Sequence, residues 1–197
     1  AVVLMSTGAL ALIGRGAWPA LPLAWALVPT LNGLLFARVP LPATVQEERR
    51  TPLRHLAASP AFLAALVLMV TGGAAELTMA QWSSFFAESA TGVSKEVGDL
   101  MGPGLFALLM GAGRTAYGLV GERVRLRGAL AASSAGAVVC YLVAAWAAHP
   151  LVSLLGCAAT GLCVSLLWPG TISLTSARFP AGGAAMFAVL ALAGDGG

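Results

Sequence analysis

Apolar residues in this chain fall into long runs rather than into the alternation of a half-buried strand. A helix needs about 20 apolar residues to cross the hydrocarbon core of a bilayer. Measured against that length, the chain holds five complete runs, at about 19–37, 61–86, 100–120, 128–147 and 151–175. Two partial runs flank them, one over about 1–13 and one that begins near Gly183. The longest polar stretch, "RVPLPATVQEERRTPLRHLAASP" at 38–60, mixes prolines with both charge signs and reads as a linker. A shorter connector, "ESATGVSKEVGD", covers 88–99. Glycine and proline recur inside the apolar runs, which membrane helices tolerate. The "GPG" at 102–104 and the "WPG" at 168–170 predict kinks or helix starts. The pattern predicts an all-α, polytopic transmembrane helix bundle in three parts: 1–37, the linker 38–60, and a bundle over 61–197 with four full spans and a partial one.

Composition strengthens this reading. Hydrophobic residues make up 58% of the 197 and charged ones only 10%, against about 25% in a soluble domain. Mean hydropathy is +0.87. So few charges cannot clothe a globule of this size in water, and lipid is the natural surroundings for the remaining apolar surface. The first residues, "AVVLMSTGALALI", lack the basic leader of a signal peptide. They read as the tail of a span, and "AMFAVLALAGDGG" stops within another. The expectation is a truncated bundle whose remaining helices are a partner of this chain.

The net charge of +3 is modest, and the basic residues sit in short clusters between apolar runs. That suits loops at an anionic membrane surface and predicts no nucleic-acid face. Arg38, Arg49, Arg50 and Arg54 occupy the linker, Arg123, Arg125 and Arg127 the 121–127 loop, and Arg178 the 176–182 turn. The intervening loops hold only Arg15, Lys95 and no basic residue at "AAHP". By the positive-inside rule, loops 38–60, 121–127 and 176–182 are expected on the cytoplasmic side of the cell's inner (plasma) membrane. Cys140, Cys157 and Cys163 lie inside apolar runs and read as small buried residues. His55 and His149 are the only histidines, and no nucleophile, phosphate-loop or metal-ligand grouping accompanies them. The sequence therefore points to neither an enzyme nor a cofactor or metal protein.

The loop "GAGRTAYGLVGERVRLRGAL" (111–130) places Arg114 inside a span, Gly118 four residues on, and Glu122, Arg123 and Arg127 at the membrane surface. Two readings fit: a charged clamp that latches helix ends, or basic anchoring with a snorkelling Arg114. This loop resembles the signature loop of the major facilitator superfamily at Gly118, Glu122, Arg123 and Arg127. It departs where the family usually has aspartate, here Glu122, and where it has glycine, here Arg125. The stretch from Gly156 to Gly197, with Pro169-Gly170, the "RFP" turn and the "GG-A" helix entry, resembles the tenth and eleventh helices of fucose-permease-like sugar transporters. The resemblance implies the end of one six-helix half, a cytoplasmic linker, and a truncated C-terminal half. It also implies a cytoplasmic gating role for the 114–127 cluster.

Candidate chemistry lies in the spans. Glu76, in "GGAAELTMAQW", falls near the middle of its run, where a lone carboxylate costs on the order of 2.5–3.5 kcal/mol. Its helical face holds Gly72, Gly73, Ala80 and Ser83, all small. Two readings fit: a cavity acid that binds a solute or carries a coupling proton, or an acid that ties two helices together. Gln81 and Trp82 join that cavity only if the helix breaks; otherwise Trp82 is an interfacial residue. A second polar stripe, Gly161, Ser165, Trp168 and Thr175, offers Ser165 and Trp168 as substrate contacts. Asp195 is a second candidate membrane acid for proton coupling. The expected activity is alternating-access transport of a small polar solute such as a sugar. The alternative is a non-transporting membrane sensor or scaffold on the same bundle.

Overall fold

A computed structural model describes residues 19–39, 51–121 and 124–197. Every regular element among them is helical. The chain divides into two units, 1–45 and 46–197. In the first, α1 covers Ala20–Phe36 with Pro29 in its interior. Thr30 Oγ1 donates back to the Ala26 carbonyl, which keeps the hydroxyl satisfied within the helix.

The second unit is the bundle. A short α2 (Leu53–Ala57) leads into α3 (Pro60–Thr91), a 32-residue helix that opens on Pro60 and stops at Gly92. Proline suits a helix start because its missing N–H would have had no partner there. Gly92 adopts φ 67°, the left-handed conformation that ends helices. The connector then forms α4 (Lys95–Asp99) and a π-helical turn, Leu100–Gly104, that runs into α5 (Leu105–Val120). Next come α6 (Leu126–Trp146), α7 (Pro150–Val164), α8 (Leu167–Arg178) and α9 (Gly183–Asp195).

Three apolar stretches, Pro60–Ala90, Leu126–Trp146 and Pro150–Arg178, are long and apolar enough to cross a membrane. Ala20–Phe36 and Gly183–Asp195 are apolar but shorter. The bundle turns large apolar side chains outward along these helices, among them Val67, Phe85, Val138 and Leu155. A surface of that kind fits hydrocarbon rather than water.

Two clusters form the interior. Leu56, Phe62, Met69, Met186 and Leu190 join α2, α3 and α9. Met79, Phe106, Ala137, Cys157 and Val164 join α3, α5, α6 and α7. All three cysteines are free thiols, and Cys140 and Cys163 bring their Sγ atoms to 3.8 Å across α6 and α7.

The structure refines three sequence boundaries. The end of the 38–60 linker belongs to the bundle: Leu56 is 1% exposed, and the Thr51 N–H donates to the Ala181 carbonyl at 2.9 Å. The polar connector is mostly helical, because α3 continues to Thr91 and α4 follows directly. The expected 151–175 span is two helices with a turn at Ser165 and Leu166. The cause is Pro169: it has no N–H for the Ser165 carbonyl, and helical hydrogen bonding lapses there. Pro103 acts similarly on the Asp99 carbonyl, and the chain passes through the π turn at that point.

Candidate functional site: a paired acid in an interhelical cavity

Glu76 sits at the middle of the long Pro60–Ala90 span. One helical turn before it, Gly73 lies so close to the Gly194 carbonyl oxygen that a Cβ there would collide with backbone. The small residues on this face therefore admit α9 against α3, as their pattern suggested. Trp168 packs its indole on Gly194, with Nε1 2.5 Å from where a Cβ would stand. Glu76, Leu77, Arg114, Trp168 and Asp195 line the resulting cavity of about 260 Å³, with Gly73 and Gly194.

Arg114 comes to this cavity from α5. Gly113 brings α5 against the Ser165 side chain, so the next residue reaches the broken segment between α7 and α8. There Arg114 Nε donates to the Ser165 carbonyl at 3.2 Å. This is the carbonyl that Pro169 deprives of its helical partner. The same guanidinium points Nη2 at both Glu76 oxygens, each 3.5 Å away. The Arg114 side chain is 44% exposed and that of Glu76 23%, so the pair borders the cavity rather than being sealed in the interior. The separations are long for a charge-assisted hydrogen bond.

The cavity thus combines two carboxylates, one guanidinium and one indole. The charged groups can hydrogen-bond hydroxyls or exchange a proton, and the indole offers an apolar face to a ligand. Asp195 has a wall position and no ion-pair partner among the described residues.

Other expected site residues lie elsewhere. Helix α3 runs unbroken through Gly72 and Gly73, so Gln81 and Trp82 remain off the Glu76 face. Both are exposed, and Trp82 packs edge-on against Phe85 at 6.4 Å. Ser165 contributes its carbonyl, while its hydroxyl donates to Leu162 at 2.7 Å. Gly161 abuts the Phe106 backbone and the Thr175 hydroxyl bonds to Thr171. Only Trp168 of that stripe therefore faces the cavity. Of the expected gating cluster, Arg114, Gly118 and Arg127 fall within the described residues. Arg114 pairs with Glu76, Gly118 has no neighbour within contact of a Cβ, and Arg127 lines separate grooves. Glu122 and Arg123 lie outside the described residues.

One polar cluster was not anticipated. The Ser84 hydroxyl lies 2.5 Å from Asp99 Oδ1 and 3.2 Å from Glu88 Oε1, and Lys95 Nζ reaches the same two carboxylates at 3.3 and 3.8 Å. It closes the far end of α3 onto α4. The hydrogen bond to Asp99 and its negative charge hold the Lys95 ammonium above the ordinary lysine value of 10.5. The i, i+4 spacing of Lys95 and Asp99 was a readable signal for part of this cluster. No group of three or more His, Cys, Asp or Glu side chains suited to a metal ion occurs among the described residues.

The chain matches no family model, no curated protein and no solved structure.

Proposed function

We propose that this chain is part of a secondary transporter that works by alternating access, with the cavity around Glu76 as a wall of its solute site. The observation that carries the reading is the Glu76–Arg114 pair at mid-span, facing a small cavity with an indole wall. Charges at this depth are costly to place, and pairing inside a cavity is how transport proteins retain them. The resemblance of the 111–130 loop and of the 156–197 stretch adds the major facilitator superfamily as the architecture. It adds the fucose-permease-like branch as the source of a sugar-like solute. On this reading Glu76 and Arg114 take solute hydroxyls, Trp168 stacks on the solute's apolar face, and Glu76 or Asp195 carries a coupling proton.

The basic loops are proposed to face the cytoplasm. In support, Arg127 and Arg178 line one groove at one end of the bundle, while Lys95 lies with Glu88 and Asp99 beyond the other end of α3.

The test is uptake of radiolabelled sugars and small polyols into right-side-out vesicles that carry the full-length transporter of which this chain is proposed to be part. Accumulation that collapses with a proton uncoupler, and is lost in Glu76→Gln, supports proton-coupled transport. Accumulation insensitive to the uncoupler keeps transport and removes proton coupling. No flux for any solute, with the protein intact in the membrane, overturns the reading in favour of a sensor or scaffold.

A further inference from the structure

Helices α3, α6 and α8 do not close on one another along their outer faces. Between them runs an apolar groove of about 540 Å³, walled by side chains that include Leu68, Leu130, Ala131, Val138 and Leu142. It shares Leu68, Arg127, Thr171 and Leu174 with a second groove of about 470 Å³, which continues toward Arg178 and Phe179. The two form one channel along the bundle's side, apolar for most of its length and basic at one end.

The polar groups along the channel are largely occupied by the protein itself. The Tyr141 hydroxyl donates to the Ala75 carbonyl at 2.8 Å, and Thr175 Oγ1 donates to the Thr171 carbonyl at 2.7 Å. The arginines are not so occupied. Arg127, in the first turn of α6, and Arg178, in the last turn of α8, are exposed and have no carboxylate partner among the described residues. The start of α6 also lacks a side-chain cap, so its first N–H groups add positive potential beside Arg127. From Arg127 to Leu142 the groove wall follows α6 for about 22 Å. That is deeper than one leaflet of a hydrocarbon core about 30 Å thick.

We propose that this channel binds one anionic glycerophospholipid, with an acyl chain in the apolar groove and the phosphate between Arg127 and Arg178. The charge complementarity selects the head group, and the length and apolar lining of the groove select a chain. The inference needs only a bundle that lies in a bilayer, and stands apart from what the protein transports.

The experiment is native mass spectrometry of the purified protein, equilibrated with equal amounts of phosphatidylglycerol and phosphatidylcholine of identical acyl chains. Retention of one phosphatidylglycerol in preference to phosphatidylcholine is expected. Arg127→Gln and Arg178→Gln should each weaken it about fivefold, as loss of one basic residue near an anionic lipid surface does. Ser134 also lines the groove, so Ser134→Phe, which fills it without changing charge, should release the lipid, and Arg125→Gln should retain it. Glycerol phosphate without acyl chains should not compete; full competition would make the site one for free phosphate. Equal retention of the two lipids, or arginine variants that bind as wild type does, overturns the proposal. So does a dimer that Ser134→Phe dissociates, because a second copy would then occupy the groove. Helicity by circular dichroism and monodisperse elution keep misfolded variants from being read as loss of binding.

Discussion

Arg114 reaches from α5 to α3 and places its Nη2 3.5 Å from both carboxylate oxygens of Glu76, a residue 38 positions earlier in the chain. Its Nε is held by the carbonyl that Pro169 leaves without a helical partner. One proline thus helps decide where a cation sits in another helix, and that cation neutralises an acid in a third.

The two charges should be energetically coupled. Glu76→Gln and Arg114→Met should each destabilise the bundle, because each leaves a charge at mid-span without its partner. The double variant should recover part of the loss. Partial exposure of both side chains limits the coupling to on the order of 1 kcal/mol. A double-mutant cycle on unfolding midpoints in mild detergent measures it. Strict additivity of the two single effects would show that the contact is incidental.

The two tryptophans should separate cleanly. Trp168 lines the cavity with Glu76, whereas Trp82 is 64% exposed on the outer side of α3. If the cavity binds solute, Trp168→Ala should weaken solute affinity about tenfold. Trp82→Ala should leave it within about twofold, since Trp82 touches no wall of the cavity. Concentration-dependent uptake, corrected for the amount of protein in the membrane, tests the pair. The opposite ranking would place the solute elsewhere.

Glycines in the same bundle should differ sharply in tolerance. An alanine Cβ at Gly73 meets the Gly194 carbonyl, a backbone group that cannot rotate away. Gly73→Ala should therefore cost about 1–3 kcal/mol through forced separation of α3 and α9. Gly118 has open space around it, so Gly118→Ala should be neutral or stabilise by about 0.5–1 kcal/mol through helix propensity. Thermal midpoints of the two variants decide it.

Lys95 is the only lysine in the chain, which makes its titration directly observable. Asp99 raises its pKa first through a hydrogen bond and then through charge, with smaller help from Glu88 and Glu96. A raised value means the tie between Lys95 and Asp99 is complete below the ordinary lysine pKa of 10.5. It is lost as pH rises through the higher folded value. With ¹³C-labelled lysine incorporated biosynthetically, the Lys95 Cε resonance should titrate above 10.5 and its midpoint should move down in Asp99→Asn. An unchanged midpoint in that variant would remove Asp99 as the cause.

What the sequence determined by itself was the helical class and three of the five expected spans; the 19–37 run forms a 17-residue helix, and the 100–120 run is not among the stretches long and apolar enough to cross. Runs of apolar residues long enough for a bilayer can only be helices there, since each backbone group must find its partner locally. Pro103 and Pro169 announced their own irregularities, because a missing N–H acts on the residue four positions earlier. Glu76 was legible as a charge at mid-span, and the glycines beside it as a place for close helix contact. The partner of Glu76 was not legible. Arg114, though inside a span, read as a latch to the helix ends or a snorkelling anchor, since its neighbours in sequence are the basic residues that follow it. Opposite charges inside two spans were the available hint, but sequence spacing carries no information about which helices face one another. Tertiary packing decided that α5 meets the break after Ser165, that α9 meets Gly73, and that Gln81 and Trp82 turn away. Those outcomes depend on helix rotation and crossing, which arise from side chains interlocking across elements far apart in the chain.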